Sequence, residues 1–163
     1  MCRIFLTILV ITCFASTAIA GSFARGVSDA TAPAAALGIA AAYFTTGEDG
    51  KANAARMTDA IVISYGITKI LKPNLDVNEG GDEHSFPSGH TAIAFATASS
   101  LAEIHPEQKW YYYAGAALIG WSRVETDSHT WRDVLGGMAV GLTVGNWSMN
   151  SNDGLMIGKV YRF

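Results

Sequence analysis

A chain of 163 residues is long enough for one domain with a sizeable core. Half of it is hydrophobic and only 15% is charged, against roughly 25% charged residues in ordinary soluble domains. A net charge of −3, with no basic stripe and no interleaved aromatics, excludes a nucleic-acid binder built on phosphate contacts.

The N-terminus reads as an export signal. Arg3 supplies a short positive region, Ile4 to Ala15 an apolar core, and Ala18-Ile19-Ala20 a small-x-small cleavage site before Gly21. This divides the chain into a signal segment, 1–20, and a domain, 21–163, with an uncleaved first membrane anchor as the alternative. Both cysteines, Cys2 and Cys13, lie in the signal. The mature chain is therefore expected to hold neither a disulfide nor a cysteine metal site. Val10-Ile11-Thr12-Cys13 is a poor lipid-attachment box.

Five helical segments follow. The first covers about Asp29 to Thr46, with Pro33 near its start and Gly47-Glu48-Asp49-Gly50 at its end. The second runs from about Ala54 to Leu71 and is stopped by Pro73, because the residue before a proline avoids the helical region. A polar loop, Asn74 to His84, leads to a third, uncharged helix that starts at Ser85-Phe86-Pro87-Ser88-Gly89-His90-Thr91 and ends before His105-Pro106. The fourth spans about Gln108 to Trp121 and the fifth about Trp131 to Met149. Leu155 to Phe163 reads as a strand or an extended tail. Long helical runs joined by short polar turns predict an all-α compact bundle.

The first and fifth helices approach the length and apolarity of a membrane span but are rich in Ala, Gly and Thr. Trp110, Tyr111, Tyr112 and Tyr113 suit either an interfacial belt or packing. Gly136, Gly137, Gly141 and Gly145 allow close helix approach. These features favour membrane association, with a soluble bundle as the alternative. In an up-and-down bundle the loop before the third helix and the loop before the fifth fall at one end. Any chemistry is expected there.

Two stretches carry that chemistry. At Ser85 to Thr91 a helix start leaves backbone N–H groups without partners, a ready anion site. Gly89 lets an anion approach the backbone, and His90 stands beside it; the same residues also make an ordinary cap. The second stretch is Ser122-Arg123 followed by His129 and Asp133. A carboxylate four residues from a histidine can hold one ring nitrogen and aim the other outward, although Asp133 also suits a capping role. Arg123 offers a planar fork of donors for a phosphate, and Lys69 and Lys72 place two ammonium groups at the end of the second helix.

Together, Pro87-Ser88-Gly89-His90 and Ser122-Arg123-x5-His129-x3-Asp133 resemble the second and third motifs of the type 2 phosphatidic acid phosphatase superfamily. That superfamily also includes class A acid phosphatases and vanadium haloperoxidases. Its first motif, Lys-x6-Arg-Pro, is altered here to Tyr65-x6-Lys72-Pro73. The resemblance covers roughly Tyr65 to Gly145. It implies a metal-independent phosphatase without cofactor, acting on a lipid phosphate, a polyprenyl diphosphate or a small phosphomonoester.

Carried over by position, His129 is the nucleophile that forms a phosphohistidine, Asp133 orients it, and His90 is acid and then base. Arg123, Ser88, Gly89 and Lys72 cradle the phosphoryl oxygens. Lys72 loses the arginine fork and Tyr65 brings no cation. Lys69, one turn on from Tyr65, is expected to replace part of the missing charge. The expected location is the cell envelope, on the bacterial inner membrane with the site facing the periplasm, or free in the periplasm. A vanadate-dependent haloperoxidase and a catalytically weakened phosphate-lipid-binding relative are the other readings.

Overall fold

The computed structural model describes residues 21–75 and 85–151. Residues 1–20, read above as an export signal, and the tail 155–163 lie outside the described residues, as does most of the polar loop. Residues 21–29 are helical. Five longer helices follow: α1 (Thr31–Thr45), α2 (Gly50–Leu71), α3 (Gly89–Ile104), α4 (Lys109–Glu125) and α5 (Trp131–Asn150). No strand occurs among the described residues.

Several boundaries differ from expectation for packing reasons. The helix over 21–29 is unexpected for a Gly- and Ser-containing stretch. Ala24 and Ser28 are buried and Phe23 stacks 6.5 Å from Trp121, so tertiary contact outweighs weak propensity. The turn after α1 is a short 3₁₀ helix, Gly47–Asp49, entered through Gly47 at φ 60°. It lets α2 begin at Gly50, where the backbone meets the Tyr43 carbonyl too closely for any side chain. Helix α4 runs four residues past Trp121 to Glu125, which carries Arg123 on its last turn.

Helix α3 is the centre of the bundle and packs against each of the other four longer helices. Its sequence of Ala, Ser and Thr leaves little side-chain volume, and most of it is buried. Small residues permit this central place because neighbouring backbones can come close. On α5 the glycine stripe supplies the counterpart. A Cβ at Gly137 would collide with the Ser88 carbonyl, one at Gly141 with the Ala92 carbonyl, and one at Gly145 with Ser99. The spacing of four places all three on one face, and that face seats α5 on α3.

The core is thus built mainly from small side chains, with Met57, Phe95 and Ile119 among them, while many large apolar side chains are outside. Phe44 is 79% exposed, Trp110 73%, Leu37 70% and Ile70 68%. The aromatic run divides: Trp110 and Tyr111 are exposed, whereas Tyr112 and Tyr113 pack on Ala94, Phe95, Ala98, Ala116 and Ile119. No helix among the described residues is long and apolar enough to cross a membrane, so neither α1 nor α5 meets the spanning expectation.

Candidate active site

The segments before α3 and α5 meet at one end of the bundle, as the up-and-down connectivity requires. The Ser88 N–H donates to the Asp133 carbonyl at 2.9 Å, and the Ser85 hydroxyl donates to Asp133 Oδ2 at 3.0 Å. One residue therefore ties the start of α3 to the start of α5.

Asp133 has two duties. Within α5 it completes a capping box: the Thr130 N–H donates to Asp133 Oδ2 at 2.8 Å and the Asp133 N–H to Thr130 Oγ1 at 3.4 Å. The same Oδ2 lies 3.5 Å from His129 Nδ1, with the imidazole 7% and the carboxylate 0% exposed. Capping and histidine support, alternatives at the level of spacing, coexist. At 3.5 Å the contact is at the outer limit of a hydrogen bond, but Nδ1 has no other partner. Burial alone would raise the Asp133 carboxyl. The Thr130 N–H, the Ser85 hydroxyl and His129 outweigh that, and it is held below the ordinary carboxylate value.

His129 is fixed from its backbone side as well. The Ser128 and His129 N–H groups both donate to the Arg123 carbonyl at 3.0 Å. The turn between them passes through Asp127 at φ 52°, a conformation Asp tolerates better than most residues. Burial first, then the charges of Arg123 and Lys72, push His129 down to about 4, against the opposing pull of Asp133. The imidazole is therefore neutral over most of the pH range, within the field of two cations. That is the state a nitrogen nucleophile needs.

The guanidinium of Arg123 is aimed by a contact that sequence reading missed. Its Nη1 donates to Ser28 Oγ at 2.6 Å, and Ser28 is 3% exposed. Its Nε is buried without a partner, a donor left for an incoming anion. Asp29, next to Ser28, counters the desolvation of Arg123. Neither residue carries a motif, and nothing local in the sequence marks them.

His90 is the second residue of α3 and is exposed at the mouth of the site. Desolvation, then Arg123 and Lys72, hold it below the usual histidine value, while Asp29 pulls the other way. Ser88 is fully buried as the N-cap: its Oγ accepts the Thr91 N–H at 3.4 Å and the Thr91 hydroxyl at 3.0 Å. Its oxygen is committed to the cap, which leaves its proton as the group to offer a phosphate.

Gly89, also buried, opens the helix. A Cβ there would come within 3.4 Å of the Thr68 hydroxyl and 3.5 Å of the Tyr65 ring. Helix α2 thus presents Tyr65, Thr68 and Lys72, at spacings of three and four, to the start of α3. Lys72 caps α2 and feels Asp133, Tyr65 and Arg123; desolvation and the neighbouring Lys69 hold its ammonium below the ordinary lysine value. Lys69 itself is exposed, with Nζ 5.3 Å from the Tyr65 ring centre. It reaches the site through Tyr65 and through its charge on Lys72. No group of three His, Cys, Asp or Glu side chains suited to a metal ion occurs among the described residues.

A sequence model of the PAP2 superfamily matches residues 4–156, a match that begins inside the segment read as an export signal. A lipid A 1-phosphatase from Porphyromonas gingivalis is 44% identical over 71 residues, 41% of this chain and 16% of that protein. A lipid phosphate phosphatase 2 from Arabidopsis thaliana is 36% identical over 103 residues, 53% of this chain and 35% of that protein. The matched regions are therefore well under half the length of these relatives. No solved structure matches.

Proposed function

The chain belongs to the PAP2 superfamily, and on that premise we propose that it is a phosphatase that cleaves a phosphate ester of a lipid through a phosphohistidine. The observation that carries the reading is the buried, neutral His129, backed by Asp133 and within the field of Arg123 and Lys72, the same two cations that act on His90. The lipid part is supported by the names of the two relatives and by the exposed large apolar side chains.

In the first step the free nitrogen of His129 attacks phosphorus. The bond to the ester oxygen breaks, and that oxygen takes the proton of His90 and leaves as an alcohol. Asp133, a positioning residue, stabilises the charge that His129 gains. In the second step a water attacks the phosphohistidine, His90 takes its proton, and inorganic phosphate leaves with His129 restored. Arg123 and Lys72 meet the phosphoryl charge in both steps, a role that elsewhere falls to a metal ion. We place the enzyme at the cell envelope, on the membrane surface, with the site facing the periplasm.

Phosphate release from a panel of phosphatidate, polyprenyl diphosphate and soluble monoesters, measured in EDTA, tests the activity, its metal independence and its preference together. Release from the lipid substrates is expected. Release from none of them overturns the reading, and fractionation after lysis distinguishes a membrane-bound from a soluble enzyme.

The pH profile follows from the two histidines. His129 must be neutral to attack, so kcat/KM falls as pH drops through about 4. His90 must be protonated to donate, and its value lies below 6.5, so kcat/KM also falls as pH rises beyond that point. A bell-shaped profile with an acidic maximum is expected. The bound anion favours both protonated forms, so the kcat profile should lie at higher pH than that of kcat/KM. A profile still rising above pH 8 would contradict these assignments.

Lys69→Ala removes the cation over Tyr65 and one charge beside Lys72. KM for a phosphomonoester is expected to rise about two- to fivefold, the scale of an exposed cation–π contact. An unchanged KM removes Lys69 from the phosphate cradle.

A further inference from the structure

We infer that a groove between α1, α3 and α4 holds the aliphatic tail of the phosphate ester, an inference that rests on the reading above. The groove has a volume of about 230 Å³. Its walls continue the helix faces that carry the site. On α3, His90 is followed at spacings of four, three and four by Ala94, Thr97 and Leu101, and these last three line the groove. On α4 the same intervals run backward from Arg123 to Ile119, Ala116 and Tyr112, again lining residues. Residues so spaced share one face of a helix. Ser28, which holds Arg123, leads at spacings of three and four to Thr31 and Ala35 on the third wall.

Faces of three helical segments thus run from the phosphate site into one mainly apolar channel. Leu101 lies about 16 Å beyond His90 at 1.5 Å per residue. The direction also agrees with the chemistry. The departing oxygen sits beside His90, so the alcohol half of the ester emerges on the face that enters the groove.

A second, independent observation points to a ligand. Thr97 is 8% exposed, and its hydroxyl has no hydrogen-bond partner. A helical hydroxyl commonly returns to the carbonyl one turn back, as Ser100 does to Ala96 at 2.9 Å. Thr97 leaves a buried donor and acceptor unused in the groove wall, about 10 Å along α3 from His90. An ester carbonyl or a chain hydroxyl would satisfy it; a bare hydrocarbon would not.

The test uses the full chain and straight-chain alkyl phosphates from methyl to dodecyl, kept below their micelle concentrations. kcat/KM is expected to rise about two- to fourfold per methylene until the groove is full. Gly115→Leu fills the groove without disturbing its walls, because a Cβ at Gly115 has no atom within 4 Å. It should lower the dodecyl-to-methyl ratio of kcat/KM about tenfold. Calorimetric binding of dodecyl and methyl phosphonate repeats the comparison without turnover. Chain-dependent binding with no hydrolysis supports the groove and rejects the phosphatase. Hydrolysis with no chain dependence in either assay, or a ratio unchanged by Gly115→Leu, overturns the groove and means that something else, such as another segment of this chain, covers it.

Discussion

His129→Ala is expected to lower kcat for phosphate release by roughly four orders of magnitude or more, with little change in folding stability. The large effect follows from the nature of the step. Removing the imidazole deletes the group that forms the new bond to phosphorus and leaves only water in its place. The cradle of Arg123 and Lys72 survives, so substrate should still bind and a small residual rate should persist. Stability should change little because His129 Nδ1 makes only the long contact to Asp133, while the Arg123 carbonyl holds the loop through backbone donors. A chemical signature accompanies the kinetics. Wild-type protein quenched in base during turnover of labelled substrate should carry a phosphoramidate, stable in base and labile in acid. Retention of more than a few per cent of activity by a folded His129→Ala protein would mean direct attack by water.

Asp133→Asn should cost about 10²–10⁴-fold in kcat. The amide oxygen can still accept from the Thr130 N–H and the Ser85 hydroxyl, so the capping box and the tie to the α3 start are retained. What is lost is the negative charge beside His129. Because the Asp133 charge raises His129 towards its ordinary value, its removal lowers His129 further. The acid limb of kcat/KM should therefore move below about 4. A purely structural role for Asp133 predicts a lower unfolding midpoint with no such displacement. A kcat within threefold of wild type would remove Asp133 from the mechanism.

The helical character of the chain was legible because it depends on local physics. Pro73 stops α2 where a proline must, and the capping role that Asp133 suits by its place in a first turn is realised in the box it closes with Thr130. Gly137, Gly141 and Gly145, at spacings of four, announced a face able to meet another backbone. His90, Arg123, His129 and Asp133 were readable as chemistry because each sits at a helix end whose polarity and spacing give it a use. The altered first motif was legible as a departure, but not what replaced it.

Only the tertiary structure decided the rest, because contacts between residues far apart in the chain have no local signature. Ser28 lies 95 residues from Arg123 and holds its guanidinium; nothing near Ser28 could announce that. The helix over 21–29 exists because Ala24, Ser28 and Phe23 find partners, against a sequence of modest propensity. Tyr65 became a wall over Gly89 with Lys69 behind it, a placement that required knowing how α2 meets α3. By itself the sequence determined an all-α chain with two histidines of different neighbourhood at one end. Packing determined which cations face them, which hydroxyl aims the arginine, and where a groove opens behind them.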